Sequence, residues 1–274
     1  MTIPYVTDID PEYGKVVEVS PSVRRVIANN PGRFTFTGTG TYIIGRGQVA
    51  VIDPGPENDD HVAAIIAGLP GEEISHIVVT HTHKDHSPAS RALQTATGAP
   101  IYGFGRHPVL PKEEVLRSKP TTWDMLLPTP EELEELKKSM AFPSDDENEH
   151  EQDEPGDMAF NPDVEIGHGD LIKGGTWTLE AVHTPGHISN HLCFGFKEEK
   201  SLFSGDHVMG WSTSVIPSPE GAMGEYMDSL YLLLDRNDEF FYPTHGPRIP
   251  EPISFTRSLI AHRQDREQQI LTCL

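Results

Sequence analysis

The sequence has little cysteine, little positive charge and no long apolar run. Cys193 and Cys273 are its two cysteines, too few for a disulfide framework of the kind that holds small secreted proteins together. No segment reaches the roughly 18 apolar residues that a membrane-spanning helix needs, and the opening "MTIPYVTDID" lacks the charged start and apolar middle of a secretory signal. We therefore expect a cytoplasmic protein that does not associate with membranes.

Acidic residues outnumber basic ones by 42 to 21, which gives a formal net charge of −21. Eight of these acids, with no Lys or Arg, lie between 145 and 157, so the rest of the chain still carries a net charge of −13. Such a charge gives no electrostatic attraction to the phosphate backbone of a nucleic acid. A nucleic-acid substrate would therefore need a local positive site.

The chain alternates strand-like and helix-like segments over 274 residues. Two successive β-rich halves with flanking helices predict stacked sheets with helices outside, in a single domain over 1–274. A segment at about 121–162 interrupts this order. It contains a helix-like stretch and then the acidic tract, which has almost nothing apolar to bury, so we predict a flexible insertion. A C-terminal helix is predicted at about 254–271.

The motif "HTHKDH", residues 81–86, follows the apolar strand-like run "ISHIVVT". Along an extended chain, side chains alternate between the two faces of a strand. A turn before Pro88 would let His81 and His83 hold one metal ion while Asp85 and His86 reach a second. The cluster has no cysteine, and nitrogen with oxygen ligation favours an open, working metal site over a closed structural one.

Further metal-ligand residues stand at the ends of other predicted strands. His183 ends "LEAVH", Asp206 ends "LFSGD", and His245 ends "FFYPTH". Each follows an apolar run and precedes a glycine or a turn, which is the context of His81. We expect these side chains to meet at one edge of a sheet.

The ordered motifs "VIDPG", "HTHKDH", "HTPGH", "SGDH" and "THGP" resemble those of the metallo-β-lactamase superfamily, closest to its β-lactamase-like protein two branch. The resemblance implies a mixed α/β fold, a four-layer αββα sandwich, with two zinc ions at one sheet edge, iron or manganese being alternatives. It assigns seven ligands to the two ions: His81, His83 and His183 to the first, Asp85, His86 and His245 to the second, and Asp206 as a bridge.

Asp53 in "VIDPG" matches a position whose carboxylate would orient a ligand histidine or the metal loop, the alternative being a turn aspartate at a strand end. His187, His191 and His207 are predicted to be hydrogen-bonded supports rather than ligands. A substrate-facing wall is predicted within "GWSTSVIPSPEGAMGEY", formed by Trp211, Ser212 and Tyr226, with core packing of the aromatic side chains as the alternative.

The function that this resemblance implies is hydrolysis by a metal-bridging hydroxide, with Asp85 receiving or passing the proton. The acidic chain favours a small or medium ester or thioester over a polyanion. Short single-stranded RNA is the second candidate substrate, because that branch includes an endoribonuclease. A persulfide dioxygenase with one iron and a non-catalytic binding module are further alternatives, and a homo-oligomer is left open.

Overall fold

The structure is a computed structural model that describes residues 3–109 and 156–273. These belong, except for Val109, to the unit formed by Met1–Pro108 and Gly156–Leu274. The predicted insertion lies outside the described residues from 121 to 155. Its predicted end, residues 156–162, lies within them.

The first sheet has seven strands, which follow one another in chain order across the sheet. Strands β1 to β4 pair antiparallel and β4 to β7 pair parallel. The strands are β1 (Val17–Glu18), β2 (Val23–Ile27), β3 (Gly40–Ile44), β4 (Gln48–Ile52), β5 (Glu73–Val78), β6 (Ile101–Gly103) and β7 (Val164–Glu165).

The second sheet has five strands in the order β12-β11-β10-β9-β8. Its strands pair antiparallel except for the parallel pair β11 and β12. The strands are β8 (Leu171–Lys173), β9 (Thr178–His183), β10 (Leu192–Phe196), β11 (Ser201–Gly205) and β12 (Phe240–Pro243).

The described residues also form four α-helices and a short 3-10 helix at Lys197–Glu199. The helices are α1 (Asp59–Ala67), α2 (Ala89–Thr97), α3 (Met223–Leu234) and α4 (Pro252–Cys273). Helix α1 starts where the side chain of Asn58 accepts a hydrogen bond from the backbone N–H of His61, which satisfies a donor that the helix leaves free. Helix α2 ends at Gly98, whose φ of 77° is a left-handed conformation that suits glycine.

Three buried apolar clusters separate four layers. One cluster lies between the sheets and contains Tyr42, Phe194 and Tyr242. A second joins the first sheet to α1 and α2, and a third joins the second sheet to α3 and α4. This arrangement is the αββα sandwich that the resemblance implied. No helix within the described ranges is long and apolar enough to cross a membrane.

The ends of strands from both sheets meet at one edge of the sandwich. The backbone N–H of Leu192 donates to the carbonyl of Thr80 at 2.7 Å, and that of Gly40 donates to the carbonyl of Thr244 at 2.8 Å. The hydroxyl of Tyr42 donates to the carbonyl of Pro243 at 2.7 Å. These bonds tie the two sheets together directly beside the positions of the predicted ligands.

The described end of the predicted insertion packs against this edge. The backbone N–H of Asp157 donates to the carbonyl of Thr82 at 2.7 Å, and its carboxylate accepts a hydrogen bond from the hydroxyl of Ser87 at 2.8 Å. Phe160 is 3% exposed and belongs to the cluster that contains α2. Asp157 and Phe160 are therefore packed at the predicted end of the insertion, where Phe160 supplies apolar area that the acidic tract lacks. The bounds of the insertion stay a prediction.

Candidate metal centre

A first group consists of three histidines whose ring nitrogens converge. His83 Nδ1 lies 2.9 Å from His81 Nε2 and 3.0 Å from His187 Nε2. His81 and His83 belong to the loop that follows β5, and His187 lies beyond β9, after a turn at Gly186 where φ is 130°. Three nitrogens at such short range cannot all carry protons, and they can hold a divalent ion with a position left for water or substrate.

His183 is not part of this group, and His187 occupies the place that was predicted for it. The His183 ring stacks on Phe104, with ring centroids 4.4 Å apart, and its Nε2 lies 2.9 Å from the carbonyl of Ser189. The prediction for His183, and the prediction of a supporting role alone for His187, are corrected on this geometry. His183 is still inside β9, whereas the Pro185–Gly186 turn brings His187 back toward the "HTHKDH" loop.

A second group combines two histidines and two carboxylates: Asp85, His86, Asp206 and His245. His245 Nε2 lies 2.9 Å from Asp85 Oδ2, and His86 Nε2 lies 3.3 Å from the same oxygen. Both Nε2 atoms and Asp206 Oδ1 are buried and make no hydrogen bond of acceptable geometry. Such atoms face a common point rather than one another, which is the arrangement expected of metal ligands.

Asp206 contacts both groups. Its Oδ2 lies 3.5 Å from His86 Nε2 and 3.8 Å from His187 Nε2, and its Oδ1 lies 3.5 Å from His245 Nε2. One carboxylate is thus placed between the two sets of ligands. This is the position predicted for a bridge.

The outward-facing nitrogen of each of the five histidines in the two groups has a polar neighbour. Those neighbours are Thr80 Oγ1 for His81, Glu220 Oε2 for His83, Asp53 Oδ2 for His86, the Val215 carbonyl for His187 and the Gly38 carbonyl for His245. A hydrogen bond on one ring nitrogen fixes the tautomer and turns the other nitrogen, with its lone pair, toward a metal.

Asp53 is fully buried and receives hydrogen bonds from three residues. Its Oδ1 accepts from the backbone N–H of Thr80 at 2.8 Å, and its Oδ2 accepts from the hydroxyls of Thr80 and Thr244 at 2.8 and 2.9 Å. Oδ2 also lies 2.9 Å from His86 Nδ1. Asp53 is therefore in contact with His86, and its role in orienting that histidine stays a prediction.

Burial and neighbouring charges lower the pKa values of two histidines in the first group and raise those of the two histidines in the second. Burial, followed by the nearby imidazoles, holds the pKa of His81 well below its usual value, and the same causes lower that of His187 to about 4. For His86, burial opposes the charged form, but Asp85, Asp206 and Asp53 outweigh it and raise the pKa. The lowered pKa values favour the neutral form of His81 and His187, and the second group contains two carboxylates whose negative charge a cation would neutralise.

These residues fit a pair of divalent metal ions. Three ring nitrogens form one ligand set, and two ring nitrogens with two carboxylates form the other. A cation among the second set would supply a partner for the buried Nε2 and Oδ1 atoms that make no hydrogen bond. Mixed nitrogen and oxygen ligation suits zinc, iron or manganese.

Glu220 is a residue of this site that sequence reasoning missed. Its Oε2 lies 3.5 Å from His83 Nε2, and its Oε1 lies 3.3 Å from Nε2 of the buried His107. These two histidines lower the pKa of Glu220 to about 2. No local signal marks Glu220, because it lies in an irregular loop more than 130 positions from His83 in the sequence.

The predicted substrate wall is corrected at Tyr226, which is fully buried in the helical layer and donates its hydroxyl proton to the carbonyl of His207. Trp211 is partly exposed, and its ring stacks on Phe36 with centroids 4.8 Å apart. It lies against Gly246, the neighbour of His245. Ser212 donates a hydrogen bond to the carbonyl of Thr213.

The sandwich and its two ligand groups at one sheet edge define a metal-dependent hydrolase fold. The family model described as "Metallo-beta-lactamase superfamily" matches residues 35–245. The chain belongs to the metallo-β-lactamase superfamily.

Similar proteins agree with this assignment. "Lactamase-like protein adaB" of Aspergillus niger is 30% identical over 96% of this chain and 67% of its own length. "Atrochrysone carboxyl ACP thioesterase" of Claviceps purpurea is 28% identical over 98% of this chain and 70% of its own length. The chain thus spans about two thirds of the length of these relatives. A metallo-β-lactamase family protein from Thermus thermophilus has the same fold, with a TM-score of 0.68 at 21% identity over 94% of this chain and 84% of that one.

Proposed function

We propose that the protein is a dinuclear zinc hydrolase, with iron or manganese as alternative metals, and that it cleaves thioesters or esters of small or medium acyl groups. The observation that carries the proposal is the position of Asp206 between the three-histidine group and the Asp85, His86 and His245 group. A carboxylate placed in this way can serve two ions at once. When bound, two divalent ions would acidify a water molecule and polarise the carbonyl group that it attacks.

The residues of the chain then have distinct tasks. Asp53 and the other polar neighbours hold the ligand histidines in place. The Asp85 side chain is 25% exposed and that of Asp206 is 10% exposed, so Asp85 is the carboxylate of the second group that substrate and water can reach more readily. Asp85 accepts the proton that water loses and passes it to the departing thiolate or alkoxide.

The acyl substrate class is supported by the thioesterase named among the relatives and by the charge of the chain. The Claviceps purpurea relative is described as an acyl carrier protein thioesterase, and a neutral thioester carbonyl needs no positive surface. A long RNA would need several Lys or Arg contacts to its phosphates, which the net charge of −21 does not favour.

The test is a parallel assay of the protein loaded with zinc and of the protein loaded with iron, on acyl thioesters, acyl esters, short single-stranded RNA and a glutathione persulfide. We expect thioester or ester hydrolysis to be fastest, and to fall by about 10²–10⁴-fold in Asp85→Asn, the usual range for loss of a general acid or base. Asp60→Asn, an exposed aspartate on α1, is the matched control and should behave as the wild type.

Three other results would overturn the acyl proposal. Metal-dependent RNA cleavage that exceeds every acyl reaction would make the protein a ribonuclease. Persulfide oxidation with one iron per chain would make it an oxygenase. Metal binding with no turnover of any substrate class would favour a binding module.

We also propose a cytoplasmic location, supported by two free cysteines, one of which is exposed, since a reducing compartment keeps such thiols free. Cell fractionation tests this location. Homo-oligomer formation stays a prediction, and light scattering tests it.

A further inference from the structure

The two ligand groups take their support from different parts of the chain. Asp53, which follows β4, contacts His86, and the carbonyl of Gly38, which precedes β3, lies 3.2 Å from His245 Nδ1. The Nδ1 atoms of both histidines in the second group therefore contact residues that adjoin strands of the first sheet.

In the first group, the ring nitrogens of His83 and His187 that point away from the other ligands contact the loop 215–222, which precedes α3. The carbonyl of Val215 lies 2.6 Å from His187 Nδ1, and the N–H of Ala222 donates to the carbonyl of Gly186 at 2.8 Å. Glu220, between them, faces His83. Two of the three histidines of the first group thus contact this loop.

Glu220 is held in place by a chain of buried polar groups. His107, whose side chain is 1% exposed, lies against Glu220 Oε1, and its Nδ1 lies 2.8 Å from Thr82 Oγ1. Thr82 Oγ1 in turn accepts a hydrogen bond from Asn190 Nδ2 at 2.8 Å. The Glu220 side chain itself is 18% exposed, so its position depends on these contacts.

We propose that Glu220 is a positioning residue for the first metal site, where its carboxylate holds the proton of His83 on Nε2 and leaves the Nδ1 lone pair for the ion. The geometry supports this tautomer. His83 presents Nδ1 to His81 and His187, whereas its Nε2 faces the carboxylate. A carboxylate accepts an N–H but cannot donate to a ring nitrogen, so it favours one tautomer only.

This inference rests on the proposed dinuclear centre, and it adds that the two sites can be weakened separately. Glu220→Gln should weaken zinc binding at the first site by about 10- to 100-fold, the usual effect of losing a hydrogen-bond partner of a ligand. Asp53→Asn should leave the first site unchanged and lower either the zinc affinity of the second site or the stability of the metal-free protein. Glu225→Gln, five positions along and exposed on α3, removes the same charge near the same loop and should change neither site.

The experiment is a zinc titration of each metal-free protein against a chromophoric chelator, with anomalous diffraction at the zinc edge to assign occupancy to each site. We expect the Glu220→Gln protein to lose zinc first from the site formed by His81, His83 and His187. If circular dichroism shows that metal-free Glu220→Gln does not fold, Glu220→Asp serves as the second variant. Its shorter side chain moves the carboxylate away from His83.

The outcomes separate this inference from the proposed function. If the wild type holds fewer than two ions, the dinuclear proposal fails. If the wild type holds two ions and the Glu220 variant keeps wild-type affinity at both, or loses the second site instead, the role of Glu220 is wrong and the dinuclear centre stands.

Discussion

Replacement of Asp53 by asparagine tests how the fold prepares His86 for a metal. Asp53 has a φ of 49°, in the left-handed region, which asparagine also tolerates at little cost. The substitution therefore leaves the backbone in place and changes one oxygen into an NH₂ group. All four groups that contact the carboxylate are donors or can act as donors.

The asparagine side chain has two orientations, and each carries a cost. With the NH₂ group toward Thr80 N–H, two donors face each other in a buried site, which costs about 1–3 kcal/mol. With the NH₂ group toward His86, the Nδ1 atom must accept a hydrogen bond, so its proton moves to Nε2 and blocks the nitrogen that faces Asp85 and Asp206. We expect a stability loss of about 1–3 kcal/mol or a loss of about 10- to 100-fold in zinc affinity at the second site.

Two measurements together decide the outcome. Guanidinium unfolding of the metal-free protein gives the change in stability, and the chelator titration gives the affinity of the second site. Asp60→Asn on the exposed face of α1 is the control. Wild-type stability together with wild-type zinc affinity in Asp53→Asn would refute the reasoning, since each orientation of the asparagine side chain predicts one of the two losses.

Three further predictions concern stability. Burial lowers the pKa of His61 from 6.5 to about 4, so the folded protein favours the neutral side chain. The contribution of His61 to the free energy of unfolding is fully present above pH 6.5, and about 3 kcal/mol of it is lost as the pH falls to 4. His61→Gln should therefore flatten the pH dependence of the free energy of unfolding in this range. Phe160→Ala should cost about 3–5 kcal/mol in a denaturation assay, and a negligible cost would show that residues 156–162 do not pack. Tyr226→Phe should cost about 1 kcal/mol and leave kcat/KM on thioesters unchanged, whereas a large fall in kcat/KM would restore Tyr226 to the substrate wall.

Ligands next to strand ends could be predicted from the sequence because an apolar run locates a strand and its last residues locate the sheet edge. His81, Asp206 and His245 follow this rule. His187 does not, because it lies four positions beyond the last residue of β9, and the strand-end rule selected His183 instead. The Pro185–Gly186 pair was the available signal, since a turn there reverses the chain and brings the second histidine of "HTPGH" to the site.

Contacts between distant loops could not be predicted. Glu220 reaches His83, and Phe160 reaches the first sheet, only because the two halves of the chain fold against each other. Tyr226 illustrates the opposite error. Its place near flexible glycines suggested a surface, but the apolar spacing of Tyr226, Leu230 and Leu233 puts one face of α3 in the core. The spacing of apolar residues along a helix is therefore a better predictor of burial than the composition of the loop beside it.

Anomalous diffraction at the zinc edge, from crystals of the zinc-loaded wild-type protein, tests the metal centre most directly. We predict two peaks, one among His81 Nε2, His83 Nδ1 and His187 Nε2, and one among His86, His245 and Asp85, with Asp206 in contact with both. A single peak, or a peak bound by His183 in place of His187, would contradict the account.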